Sequence, residues 1–449
     1  MDFSFSDHQS LIRDTVRQFM NSEVRPHVKD WERTEHFPLA AIQKLGELGC
    51  CGMLVPESWG GPGLDTISYV LMLEEVARVH TAMSTAIAVT NSAVQIPLLA
   101  FGSDAQKKRY LPRLASGEIL GAFCLTEPAA GSDAANIQST AIPHTANVNP
   151  TTNAPATEAA TTTELTTATA PATSSATAAK AANSTPASTA PPVAPAASRP
   201  SESASQKSSA NISPTHYRLN GTKTWVTNGS HAGVFIIFAK TQPAAGGKGI
   251  TAFLVEPTFP GFKVGRHEDK MGQRSSPSVE IILNDCLVPA ENRLGEEGQG
   301  LKIALSALDN GRIGIAAQAL GLAQGALDES TKYARSRKAF GKSIGEFQAI
   351  QWMLADMHTE LEAARVLTYN AAFLKDAGAS MGSAASRAKL YASEMVNRVV
   401  YKAVQIHGSQ GYSRESDVER MYRDARVISI YEGTSEIQRT IIARDLLPR

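Results

Sequence analysis

The sequence predicts an α+β protein with its β-structure in the middle. Three textures along the 449 residues carry that expectation. Residues 1 to about 120 show helical periodicity. Residues 121–295 hold short β-branched stretches between turn residues, and residues 296–449 return to long Ala/Leu-rich amphipathic runs. An alternating α/β chain would interleave the two periods instead.

In chain order, Ser6 to Gln9 fits the S-x-x-Q capping box, and Ile12, Val16, Phe19 and Met20 then fall on one helical face. "WGGPGLD" (Trp59–Asp65) interrupts as a loop before periodicity resumes through "ISYVLMLEEVARV". "VFIIFAKT", "ITAFLVEP" and "VEIILNDCLVP" read as strands, and "NIQSTA" with "HYRLNGTKTWVTNG" as a hairpin. Between those two, Ala141 to Thr215 is almost entirely Ala, Thr, Ser, Pro and Asn. Such a run has too few large apolar side chains to offset its ordering entropy, so a disordered insertion is expected over 141–215. A hairpin tip tolerates it because closure entropy grows only logarithmically with length. Near the end, "ISIYEGTSEIQ" reads as a strand-like run followed by a second S-x-x-Q helix start at Ser435–Gln438. Glu432, on the approach, is not needed for that cap. Alone it reads as a surface acid beside a helix dipole. The expected domains are 1–120, 121–295 with the insertion, and 296–449.

Composition narrows the class. Hydrophobic residues make up 43% and charged ones 19%, a soluble globular balance. Lys+Arg and Asp+Glu are equal at 43 each, so no net charge favours nucleic acid or anionic lipid. Cys50, Cys51, Cys124 and Cys286 show no metal or disulfide spacing, which suits a reducing compartment. "MDFSFSDHQS" lacks a secretory layout and is too acidic for a transit peptide, and no apolar run is expected to reach the length of a membrane span. A cytoplasmic location is expected. No histidine pair has ligand spacing, no G-x-G-x-x-G follows a strand, and "FGKS" has Ser336 where a P-loop needs its leading glycine.

Three stretches carry chemistry. "FCLTEPAAGSD" (Phe123–Asp133) puts hydroxyls, an acid and small residues on a loop, where backbone N–H groups can meet an anionic or heterocyclic ligand. "GTKTWVTNG" (Gly221–Gly229) places Trp225 two residues from Thr227, on one face of a strand. A flat indole beside a hydroxyl suits a planar heterocycle, and an ordinary half-buried Trp explains it equally well. "QIHGSQGY" (Gln405–Tyr412) is a glycine-bearing loop or helix approach.

Together, and beside "YEGTSEIQR", these stretches resemble the acyl-CoA dehydrogenase family across nearly the whole chain except Ala141–Thr215. "CLTEPAAGSD" and "QIHGSQGYSRESDVERMYRDAR" look like that family's two signatures. The resemblance implies an N-terminal helical domain, a β-barrel-like middle domain and a C-terminal four-helix bundle. It departs at Asn136, where the family usually has a smaller residue, and at the insertion, where it has a short turn.

The resemblance also implies a role for Glu432: it removes the α-proton of an acyl-CoA thioester while FAD accepts the β-hydride at N5. An unperturbed Glu, with a pKa of ~4.3, is a feeble base for that step. The site must desolvate it and acidify the substrate through hydrogen bonds to the thioester carbonyl, one of them from the Glu432 N–H. By position, Phe123, Cys124, Leu125, Thr126, Glu127, Gly131 and Ser132 would line FAD, with Trp225, Val226 and Thr227 flanking the ring. Arg337, Phe340 and Gln348 would reach a neighbouring subunit's FAD, joined by Gln405, Gly408 and Ser409. Thr434, Ser435 and Glu436 would contact FAD beside the base. Ser132, Asp309, Asn310, Gly311, Arg312 and Gly433 would meet the acyl-CoA. A shared site implies oligomerisation, and the resemblance implies the family's assembly, a homotetramer built from two dimers, with electrons passed to electron-transfer flavoprotein in fatty-acid β-oxidation.

Some members carry the base just before the arginine of the helix matching "ALDNGR". Gly311 stands there, which disfavours the isovaleryl and long-chain arrangements. "EDKMGQR", "NDCLVP" and "GRIGIAAQALG" look most like the short-chain (butyryl-type) branch, and a short branched acyl-CoA stays open. An acyl-CoA oxidase of the same fold would carry an extra C-terminal domain, which a chain ending at Arg449 lacks. A DNA-binding relative with a vestigial flavin site would need a basic C-terminal face, where "RESDVERMYRDAR" mixes its charges.

Overall fold

A computed structural model describes residues 4–145 and 214–447. Seven helices come first: α1 (Asp7–Phe19), α2 (Val28–Thr34), α3 (Leu39–Glu47), α4 (Thr66–Val79), α5 (Thr81–Ala88), α6 (Ile96–Phe101) and α7 (Asp104–Ala115). The first capping box closes as its spacing predicts. Ser6 Oγ accepts from the Gln9 N–H and Gln9 Oε1 from the Ser6 N–H. Val16 and Met20 are buried on the inner face, with Ile12 and Phe19 packed beside them.

Among the described residues eight strands follow: β1 (Leu120–Cys124), β2 (Thr140–His144), β3 (His216–Thr227), β4 (Ala232–Lys240), β5 (Ile250–Val255), β6 (Phe262–His267), β7 (Ser278–Pro289) and β8 (Arg293–Leu294). They form one sheet in the order β6-β7-β3-β2-β4-β5-β8, with β1 added parallel to β4. The barrel-like expectation thus takes the form of one sheet whose path runs from β6 to β8. A hairpin forms where one was expected, β2 and β3 pairing antiparallel from Thr140↔Asn220 to His144↔His216, but of "NIQSTA" only Thr140 and Ala141 are in its first strand. Four residues assigned to the insertion, Ala141–His144, belong to β2, because their backbone groups complete this ladder. The rest of that expectation, over 146–213, lies outside the described residues.

The C-terminal third holds α8 (Gly300–Ser336), a two-stranded β9 (Lys338–Ala339) and β10 (Lys342–Ser343), then α9 (Gln348–Asp376), α10 (Gly382–His407), α11 (Asp417–Ala425) and α12 (Ser435–Leu446). The 37-residue α8 is the spine, buried at Ile313, Ala316, Leu320 and Ala323. It meets α4 closely, because a Cβ on Gly321 would sit 2.1 Å from the Glu74 carbonyl oxygen.

Two expectations change. Thr81–Phe101, in which α5 runs through a π-helical turn (Val89–Gln95) into α6, is long and apolar enough to span a bilayer by length and composition. It is nonetheless 72% buried inside the protein, as a core helix is. The β-branched "ISIY" run is not a strand. Arg426–Ser429 is a 3₁₀ turn whose Ile428 is buried, so tertiary packing overrides β-propensity there.

Candidate active site

Glu432 sits in a strained turn between that 3₁₀ segment and α12. Its φ is 52° and that of Gly433 is 89°. A left-handed conformation is ordinary for glycine but costs a glutamate about 1 kcal/mol or more. The surroundings hold it. Gln438 Nε2 donates to the Gly433 carbonyl at 2.9 Å and to the Glu432 carbonyl at 3.3 Å, and Lys389 Nζ donates to the Gly433 carbonyl at 2.7 Å. The Tyr431 hydroxyl donates to Gln318 Oε1, and buried Gln318 is itself fixed by bonds to the Thr81 carbonyl (2.9 Å) and Ser84 Oγ (2.8 Å). The bend also moves the helix start. Thr434 caps α12, its Oγ1 accepting from the Ile437 N–H at 3.4 Å. The expected cap, Ser435, is the first helical residue, and its Oγ is buried without a partner. Glu436 stays exposed in the first turn, where its own backbone N–H holds its carboxyl below the usual range.

The Glu432 carboxylate points onto α8. A Cβ on Gly311 would lie 2.7 Å from Oε2, so the missing side chain is the space the carboxylate occupies. Oε2 is sealed from solvent and has no hydrogen-bond partner among the described residues. Burial pushes the carboxyl up to about 7, against the opposing pull of the Arg312 guanidinium and the Lys389 ammonium. Arg312 is buried and paired with Asp309. One turn along α8, a Cβ on Gly314 would meet the Tyr69 hydroxyl, also buried and unpartnered.

The first signature and the tryptophan strand meet although a hundred residues separate them. The Thr224 N–H donates to the Thr126 carbonyl at 3.0 Å, and Lys223 Nζ donates to Glu127 Oε1 at 2.6 Å in a buried pair. Glu127 also accepts from the Gln138 and Ser139 N–H groups, and its own N–H and carbonyl bridge Ala130. The Glu127 carboxylate is thus held within the protein by Lys223 and two backbone N–H groups. Cys124, Leu125 and Val226 are likewise buried in the apolar cores, leaving only their backbone for a ligand. Phe123 packs edge-on to Phe238 at 5.0 Å. Thr126 and Thr227 are half-buried, Gly131 and Ser132 exposed. Trp225 keeps 57% of its surface open at φ 59°, where the β3–β7 register slips. A bulge with a bulky residue at positive φ re-aims a side chain, and here it breaks the simple strand alternation. An open indole on the strand that bonds to the Thr126 loop fits a planar heterocycle.

The other expected FAD residues cluster at one end of the bundle. Phe340 tips the β9–β10 hairpin, 95% exposed at φ 52°, its ring edge-on to Phe347. Arg337 and Gln348 flank that hairpin, both exposed. The end of α10 joins them through His407, stacked on Tyr333 at 4.3 Å, which brings exposed Gln405, Gly408 and Ser409 alongside. A cleft of about 790 Å³ opens along the start of α8, lined by Lys248, Gly298, Lys302, Ser306, Asp309 and Asn310.

Lys389, Gln318 and Tyr69 were not singled out from the sequence, and Gln438 was read there only as part of a helix-start signal. The legible signal was Lys389, an ammonium in a buried helical stripe with Ala385, Ala392 and Val396. Among the described residues no His/Cys/Asp/Glu cluster could hold a metal.

Comparisons with known proteins agree along the whole chain. The N-terminal, middle and C-terminal domain profiles of acyl-CoA dehydrogenase match residues 6–118, 198–286 and 298–447. A short-chain-specific acyl-CoA dehydrogenase of Clostridium acetobutylicum is 37% identical, covering 99% of each chain. An acryloyl-CoA reductase (NADH) of Anaerotignum propionicum is 38% identical over 100% of this chain and 97% of its own. Butyryl-CoA dehydrogenase from Megasphaera elsdenii superposes with a TM-score of 0.83 at 36% identity, covering 100% of both chains. A chain from the study of the electron-transferring flavoprotein of Acidaminococcus fermentans matches with a TM-score of 0.83 at 37% identity, again over 100% of both. An acyl-CoA dehydrogenase complexed with FAD from Bacillus anthracis has a TM-score of 0.79 at 31% identity, over 99% of this chain and 67% of that one. The chain belongs to the acyl-CoA dehydrogenase family, whose cofactor is FAD.

Proposed function

We propose that this protein oxidises short-chain acyl-CoA thioesters to trans-2-enoyl-CoA with Glu432 as the base, passing electrons to an electron-transfer flavoprotein. The observation that carries the reading is the Glu432 carboxylate: half-buried, with Oε2 sealed and unpartnered, seated on a glycine, and pushed up to about 7. A base so placed is half ionised near neutral pH and far stronger than an exposed glutamate.

Thr126, Trp225 and Thr227 would hold the flavin ring, with Thr434 and Glu436 beside the base. FAD supplies the two-electron acceptor for the β-hydride. The chain's own residues do the rest. Glu432 takes the α-proton, and its backbone N–H, which makes no hydrogen bond among the described residues, is free to polarise the thioester carbonyl. Gly311 gives the carboxylate room, and Gln438 and Lys389 keep the turn from relaxing. The cleft with Lys248 and Lys302 at its mouth suits the anionic CoA moiety, with Asp309 and Asn310 on its wall. Arg337, Phe340, Gln348, Gln405, Gly408 and Ser409 would complete a neighbouring subunit's FAD site in a homotetramer. The domain limits 1–120, 121–295 and 296–449 and a cytoplasmic location complete the reading.

The likeness to an acryloyl-CoA reductase favours one second reading, the reverse direction, in which protonated Glu432 delivers the α-proton to an enoyl-CoA. Anaerobic assays in both directions separate the two, and oxygen uptake tests an oxidase. For the base itself, Glu432→Gln is expected to keep yellow, FAD-loaded protein while flavin reduction by butyryl-CoA falls on the order of 10²–10⁴-fold. Near-normal reduction in that variant would overturn the assignment.

A further inference from the structure

We propose that Lys389 is the positioning residue of the catalytic carboxylate: its buried ammonium clamps the carbonyl that follows Glu432 and presents a positive charge to the base. The inference rests on the reading of Glu432 as that base.

On α10, the residues Ala385, Ala392, Val396, Val399 and Ala403 form one buried face, and Lys389 lies on it with 0% of its surface exposed. An ammonium on such a face is costly unless something there uses its charge. Lys389 makes no ion pair within salt-bridge distance among the described residues. Its Nζ has one acceptor, the Gly433 carbonyl, at 2.7 Å. That carbonyl belongs to the turn whose φ values, 52° at Glu432 and 89° at Gly433, aim the carboxylate at Gly311.

Among the charges facing Lys389, Glu432 attracts it most, followed by Glu436 and Glu394, while Arg312 repels it. Burial brings the ammonium down to about 8, so it is still mostly charged at neutral pH. Around Glu432 the groups are Arg312 on α8, Lys389 on α10, and Tyr69 on α4 and Tyr431 in the preceding turn, whose own ionisation the Glu432 charge opposes. Arg312 is already paired with Asp309. Lys389 is the second cation facing the base, after Arg312, and the one that is also bonded to its turn. The sign follows: removing a cation near a carboxylate favours its protonated form, so the proton affinity of Glu432 rises without Lys389.

The experiment is the pH dependence of kcat/KM for butyryl-CoA with the holoenzyme, which reports the base in free enzyme. In Lys389→Met the acid limb is expected to move up by about one pH unit, a tenfold loss of rate on its acid side. Lys389→Arg, which restores a cation, is expected to bring the limb back toward its wild-type position. A folded, FAD-loaded Lys389→Met enzyme with an unmoved limb would refute the inference. Should that variant not fold, a ¹³Cε-lysine NMR titration reads the same coupling in reverse. The Lys389 signal, assigned with Lys389→Arg, should titrate at lower pH in Glu432→Gln than in wild type, and an unchanged midpoint would refute the coupling. The two readings fail separately. An active Glu432→Gln enzyme removes the base assignment, whereas an inactive one beside an unmoved Lys389→Met limb removes only the role of Lys389.

Discussion

The turn at Glu432 and the hairpin at Phe340 present the same local anomaly in opposite settings. Each puts a non-glycine residue at positive φ, 52° in both, followed by a glycine at 89° or 81°. Around Glu432 the strain is locked by Lys389, Gln438 and the Tyr431–Gln318 bond, and the side chain is driven against α8. Around Phe340 a two-residue ladder and one edge-on contact are the visible support, and the ring projects into solvent. Strain enforced by burial marks a group whose chemistry depends on desolvation. Strain displayed at an exposed tip suits the neighbouring-subunit contact proposed for Phe340. One half of the proposed site is finished within the chain, and the other offers its groups outward.

Three changes test that contrast. The largest effect is expected from Gly311→Ala, because its Cβ would meet Oε2 at 2.7 Å and displace the carboxylate. A misplacement of about 1 Å can cost on the order of 10²-fold in kcat/KM. FAD content should hold, and stopped-flow flavin reduction checks both. At the exposed end, Arg337→Ala should leave the fold intact while weakening FAD binding roughly tenfold, the scale of one charge-assisted hydrogen bond. Fluorescence titration of apoprotein measures it, and sedimentation reports the assembly. A monomer that keeps stoichiometric FAD would contradict the outward-facing reading.

The smallest effect concerns stability. The folded-state proton affinity of Glu432 is raised, so its stabilising contribution is fully present below its unfolded value and lost as pH rises through about 7. Glu432→Gln cannot ionise and is spared that loss. Its Tm should exceed wild type by about 2–4 °C at pH 8 and match it near pH 4.5. An equal Tm at pH 8 would mean the carboxylate is solvated.

What the sequence determined by itself was local or pattern-borne. The Ser6–Gln9 capping box needs only a three-residue reach, and it closes as spaced. The β2–β3 hairpin was legible as a pairing across the low-complexity run, but most of β2 lies inside the stretch read as the insertion. The order of textures, helical, β-rich and helical again, survives in the fold, and the motifs pointed to Glu432 and Trp225 before any geometry. Only tertiary structure decided the rest, because it depends on groups distant in the chain. Ser435 loses the cap to Thr434 because the turn is pulled in by Gln438 and Lys389. "ISIY" gives up its β-preference because Ile428 is buried in a 3₁₀ turn. Glu127 is claimed by Lys223, 96 residues away. Above all, the raised proton affinity of Glu432 arises where α8, α10 and the turn close around one carboxylate. Burial and the placement of opposing charge are properties of that closure, and no single stretch of the chain encodes them.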